Sequence, residues 1–195
     1  MAVTRNGQMF LIGTILFAVL VVGTVFLTQT GSISSSIPAT PQFLHETGMD
    51  EFPRMVNLAA AENDSARHVR SRLVSYMAFH RDVVDRHGAS AVSHALVTVP
   101  NSTGVSAVVA NFRGQDMTGV DVSVDGSTAS IGTIPDGEAR IRTFTGVPEQ
   151  FRANLTFSTD QSFNHSIAAS RNRITALYRL TVDGVDQTWQ ATDTY

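Results

Sequence analysis

The chain has 195 residues, no cysteine and a formal net charge of −3, with 43% hydrophobic and 16% charged residues. That length can bury a core unaided, and without cysteine no disulfide, thiolate or zinc–sulfur chemistry is available. All 14 basic residues are arginine, and from residue 31 onward 13 of them face 17 acids, a mildly acidic balance that speaks against nucleic acid as a partner, since phosphate recognition needs a basic stripe.

Met9 to Thr28 is a 20-residue run without charge or proline. A helix of that length spans the roughly 30 Å hydrocarbon layer of a bilayer. Arg5 precedes the run and the next basic residue is Arg54, so the positive-inside rule places the N-terminus in the cytoplasm and the body outside. A secretory signal has a shorter apolar core and a small-residue cleavage site, which Gln29-Thr30-Gly31-Ser32 does not offer. The run therefore reads as a retained single membrane span rather than a cleaved signal or a buried core helix. Localisation follows: a single-pass protein of the cell membrane with an outward body.

Gly31 to Pro41 is rich in serine, with Pro38 and Pro41, and reads as a flexible linker. A helical region follows over Gln42 to His87, interrupted at Asn63-Asp64-Ser65, where Asp64 or Ser65 can cap the next helix. Between Phe43 and Leu58 the pattern predicts one or two short helices, with Pro53 near a first turn. Beyond Ser65, an apolar stripe runs through Val69, Leu73, Tyr76, Met77, His80, Val84 and His87 at three- and four-residue steps. Gly88 is the expected stop. The default partner for this stripe is the rest of the same chain.

From His94 the period falls to two. Val120, Val122 and Val124 alternate with Asp121, Ser123 and Asp125, and Ile174, Ala176, Tyr178, Leu180 and Val182 alternate with mostly polar neighbours. Asp125-Gly126 and Asp183-Gly184 are two-residue hairpin signals, and Pro135-Asp136-Gly137 sets a further turn. Seven to nine short strands without helical pattern between them predict a β-sandwich. The expected fold class is α+β. Residues 1–30 form leader and transmembrane helix, 31–41 a linker, 42–88 the amphipathic helical region and 89–195 the antiparallel sandwich.

Chemistry has few places to reside. His80, Asp82, Asp85 and His87 are metal-ligand types within two helical turns. His80 and His87 lie on the apolar stripe and the acids beside arginines, so packing is the expected role. His68 and His94 stand isolated. Asp121-x-Ser123-x-Asp125-Gly126 opens like a calcium loop, but Gly132 stands where the twelfth-position carboxylate is needed. No phosphate-cradling, zinc or nucleophile-elbow motif occurs. No catalytic residue, cofactor, metal or small-molecule substrate is expected. Four sequons, at Asn63, Asn101, Asn154 and Asn164, fit an outward surface. Asn101, in a loop after Pro100, is the best acceptor by sequence, and Asn154, within a strand, the poorest.

Two resemblances add to this reading. Arg5-Asn6-Gly7-Gln8 followed by Met9-Phe10-Leu11-Ile12-Gly13 resembles archaeal pilin-like proteins with a class III, prepilin-type signal. The resemblance implies a cut between Gly7 and Gln8 with the hydrophobic helix kept, and in filament members that helix bundles with copies of itself. Asn6 stands where the family usually carries a second basic residue. Val108 to Gly126, then Ile134 to Phe144, looks like the Ig-like modules of prokaryotic surface and adhesion proteins. It implies an Ig-like antiparallel β-sandwich, a fold that serves many roles. The combined expectation is a non-catalytic, pilin-like surface protein for structural or adhesive contacts. Its partners would be the membrane, copies of itself or other surface and pilus proteins. The alternatives are a true filament subunit processed at Gly7–Gln8, or an extracellular enzyme or metal-dependent binder.

Overall fold

The computed structural model describes residues 40–62, 65–159, 161–183 and 185–191. Met9–Thr28, the Gly7–Gln8 pair, the linker up to residue 39 and Asn63 lie outside them. Among the described residues no helix is long and apolar enough to cross a membrane.

Helix α1 spans Pro41–Glu62 and α2 spans Ala66–Arg86. Thr40 caps α1, its hydroxyl accepting the Phe43 N–H at 3.2 Å. Pro41, expected to end the linker, instead opens the helix, where a missing N–H costs nothing. The short helices expected around Phe43–Leu58 are one helix of 22 residues with Pro53 inside it. An interior proline costs about 3 kcal/mol, and burial of Leu44, Met49, Phe52, Val56 and Ala59 on the same element offsets that cost.

Ser65 caps α2 by accepting the His68 N–H at 3.3 Å. The helix closes in a Schellman motif. The Gly88 N–H donates to the Asp85 carbonyl and the Ala89 N–H to the Val84 carbonyl, with Gly88 at φ +74°. Val69, Leu73, Met77, His80 and Val84 are buried, as the stripe requires. His87 is exposed at the C-cap, which corrects its place on that stripe.

Nine described strands follow: β1 (Ala91–Asn101), β2 (Gly104–Phe112), β3 (Met117–Val124), β4 (Ser127–Ile134), β5 (Glu138–Thr145), β6 (Gln150–Ser158), β7 (Ser162–Ser170), β8 (Thr175–Val182) and β9 (Val185–Ala191). They form two antiparallel sheets in a β-sandwich-like arrangement, ordered β5-β2-β1-β8-β9 and β4-β3-β6-β7. The Asp125–Gly126 turn joins β3 to β4 with both residues at positive φ, +48° and +81°, the geometry of a tight hairpin turn. Val182 pairs with Val185 across the second predicted hairpin.

The layers run helices, five-stranded sheet, four-stranded sheet. One core joins α1 and α2 to Ala95, Val97 and Val99 of β1, Val108, Ala110 and Phe112 of β2, and Tyr178, Leu180 and Val182 of β8. The second core joins Leu96, Val105, Val109 and Leu177 on the opposite face of those strands to Val120, Val122, Leu155, Phe157 and Ile167 of the other sheet. β1, β2 and β8 of the five-stranded sheet are thus covered on both faces. β2 is buried along its whole length, whereas β6 alternates. The alternation expected for β8 holds from Tyr178 to Val182, while Leu177 on the opposite face is as buried as Tyr178.

Three contacts fix the helices. Gly48 lets α1 approach α2 closely: a Cβ there would stand 2.3 Å from His80 Nε2, and the Tyr76 hydroxyl donates to the Gly48 carbonyl at 2.6 Å. Phe52 stacks on Tyr178 with ring centroids 4.1 Å apart. At the far end of α2, Arg81 lies over the Phe112 ring and grips Asp136 in the β4–β5 turn with two bonds, 2.7 and 2.9 Å.

Candidate functional site

The most concentrated polar chemistry inside the sandwich is at one seam between the sheets. In β1, Ser93, Ala95 and Val97 point toward the helices, so His94 points between the sheets. It is fully buried there. In β7, His165 shares the inward side with Ile167. The two Nε2 atoms lie 3.1 Å apart. Phe157 meets the His94 ring edge-on at 5.0 Å between centroids, and Phe163 stacks on Phe157 at 4.9 Å.

Hydrogen-bond direction can be assigned. A guanidinium only donates, and Arg113 Nη1 stands 3.4 Å from His94 Nδ1. That nitrogen therefore accepts, and the single proton of neutral His94 sits on Nε2, from which it is donated to His165 Nε2. Arg113 also lies over the Phe163 ring at 4.4 Å, and Arg179 lies over the same ring from β8 at 5.7 Å. Asp186 on β9 accepts Arg179 Nε at 3.0 Å and the Thr181 hydroxyl at 3.1 Å.

The electrostatics follow from this packing. Burial, then the charges of His165, Arg113 and Arg179, hold His94 well below the ordinary histidine range, against a smaller opposing pull from Asp186. Burial and the same two arginines lower His165. Both acceptor nitrogens of the pair already receive a hydrogen bond, so a further proton must break one. A cation shared by the two Nε2 atoms would require His94 Nδ1 to carry the proton, which the Arg113 donor opposes. The cluster is a neutral hydrogen-bonded clasp between the sheets.

The second feature is the outer face of the four-stranded sheet. It is polar, with a shallow depression of about 470 Å³ lined by residues that include Asp121, Ser123, Arg152, Asn154, Thr156 and Asn164. Asp121 and Ser123, whose spacing resembles the opening of a calcium loop, are alternate members of β3 on this face, and Asp125 is in the turn beyond.

The helix candidates do not converge. His80 is buried and donates from Nε2 to the Leu44 carbonyl at 3.2 Å. Burial lowers it, with the Leu44 carbonyl opposing. Asp82 pairs with Arg86 on the solvent side, and Asp85 and His87 are exposed. His68 bonds Glu62 at 3.0 Å. Among the described residues no group of three or more His, Cys, Asp or Glu side chains could hold a metal ion.

Of the sequons, Asn164 is exposed on β7 and Asn154 half-buried on β6. Asn101 ends β1 with its amide donating to Ser106 Oγ at 3.1 Å. Sequence reasoning treated His94 as isolated and did not single out His165, because 71 residues separate the pair. The one available signal was an imidazole set in the otherwise apolar Ala91–Val99 strand. No family model, curated protein or solved structure matches the chain.

Proposed function

We propose that this chain is a single-pass cell-surface protein with a cytoplasmic N-terminus, whose outward α/β/β unit makes structural or adhesive contacts and is not catalytic. The observation that carries the reading is the uncharged Met9–Thr28 run with its single basic flank at Arg5. The strand order supports an Ig-like assignment for the sandwich. β1 to β7 fall as β5-β2-β1 facing β4-β3-β6-β7, a three-on-four Greek-key order, with the β8–β9 hairpin added beside β1. Burial of the α2 stripe on the chain's own sheet favours a unit that needs no partner to complete its core.

A second reading, a pilin-like filament subunit, is favoured by Arg5-Asn6-Gly7-Gln8 before the apolar run. Mass spectrometry of the N-terminus of the native membrane protein separates the two. A start at Gln8 is expected for a filament subunit and would move the assignment toward that pathway. A start at Met1 with membrane retention supports the simple anchor. A soluble protein lacking residues 9–28 contradicts both.

A further inference from the structure

We infer that Asn164 carries an N-linked glycan and that this glycan shields the free edge of β7. The inference rests on the body lying outside the membrane, as proposed above.

The register of β6 and β7 sets Asn154 opposite Ser166 and Thr156 opposite Asn164. Two sequons, Asn154-Leu155-Thr156 and Asn164-His165-Ser166, therefore run head to tail across one strand pair, on the outer face of the sheet. Their positions are not equivalent. β6 is an inner strand and Asn154 is flanked by Ser123 on one side and Ser166 on the other, so a sugar there would stand in a half-buried trough. β7 ends the sheet, and Asn164 is exposed on it. Asn101 is held at the end of β1 by its bond to Ser106, and its Oδ1 accepts both the N–H and the hydroxyl of Thr103.

An independent observation concerns the edge itself. Exposed edge strands are normally protected against strand addition by charge or proline. β5, an edge of the other sheet, carries Glu138, Arg140 and Arg142. β7, SFNHSIAAS, has no acidic or basic residue other than His165, which faces inward, and no proline. Asn164 is the third of its nine residues. A glycan there supplies the steric bulk that the side chains lack, and its first sugar can lie against the hydroxyls and amides of the neighbouring depression.

The transfer balances simply. Asn164 Nδ2 loses one proton and bonds the anomeric carbon of a sugar. The bond from that carbon to the phosphate of a polyprenyl-phosphate-linked oligosaccharide breaks, and the carrier leaves with the electron pair.

The test is glycopeptide mapping and intact mass of the full chain isolated from its own membrane, alongside Asn164→Gln and Asn154→Gln variants. The expected result is glycan mass on the Asn164 peptide, complete loss of that mass in Asn164→Gln, and retention in Asn154→Gln. Asn164→Gln should also shift toward larger species on size-exclusion chromatography. In parallel, a Ser130→Cys variant, cysteine being otherwise absent, is exposed to a membrane-impermeant maleimide in intact cells. Labelling of Cys at that position together with an unmodified Asn164 overturns this inference alone. Absence of labelling until lysis overturns the outward placement and this inference with it.

Discussion

Replacing His94 by glutamine should flatten the acid branch of the stability curve. Glutamine can place its amide nitrogen near the Nε2 position to donate to His165, and it does not titrate. In the native fold His94 stays neutral well below its ordinary value of 6.5, chiefly because it is buried. The unfolded chain takes up that proton near 6.5. Acidification thus adds a proton to the unfolded state and none to the folded site, so stability is full above 6.5 and falls as pH drops toward the lowered folded value. One such group contributes a slope of at most about 1.4 kcal/mol per pH unit below its ordinary value. His165 is lowered too, but it is half-exposed and adds less. Denaturant titrations of the wild-type chain and His94→Gln, followed by circular dichroism at about pH 7.5, 6 and 5, read the difference directly. Carboxylates common to both chains cancel. Parallel curves, or a wild type that gains stability relative to the variant on acidification, would refute the buried neutral pair.

Three further substitutions probe the packing. Gly48→Ala drives a methyl group into His80 and Leu180 and should cost about 1–3 kcal/mol, read as a lower Tm; an unchanged Tm would mean that the helices do not approach this closely. Phe52→Ala removes the ring stacked on Tyr178 and should cost about 3–5 kcal/mol in urea unfolding, and a loss below 1 kcal/mol would place α1 off the sheet. Arg81→Ala and Asp136→Ala should be coupled by about 1 kcal/mol in a double-mutant cycle, since the pair is bidentate and only half-buried. Burial alone would raise the Asp136 carboxyl, and Arg81 with the Gly114 and Gly137 amides outweighs that and holds it below its usual range. The coupling should therefore fade as pH falls through the carboxylate range, and coupling that persists unchanged in acid would deny the ion pair.

Local chemistry was legible in the sequence wherever a single residue type settles the backbone. Ser65 caps α2, Gly88 stops it, and Asp125–Gly126 turns β3 into β4. The amphipathic stripe of α2 identified its buried face because one side of that helix meets water. β1 and β2 were harder to read. Covered on both faces, they have no clean period, and short apolar runs do not tell which sheet lies on which side. Pro53 misled for a related reason, since propensity is local and the α1 face gains more from the sheet than the proline loses. The His94–His165 clasp was invisible because only the folding of β7 over β1 brings the two rings together. The Arg81–Asp136 pair was equally invisible, because 55 positions separate the two residues.

The α/β/β unit is proposed to stand outside a membrane that holds Met9–Thr28. A chain without cysteine allows one direct measurement. Ser130→Cys, on the exposed face of β4, is treated with a membrane-impermeant maleimide in intact cells, and the membranes are then washed at alkaline pH. Labelling before lysis and retention of the labelled chain in the washed membrane are expected. Labelling only after lysis, or release of the chain into the wash, would contradict the proposal.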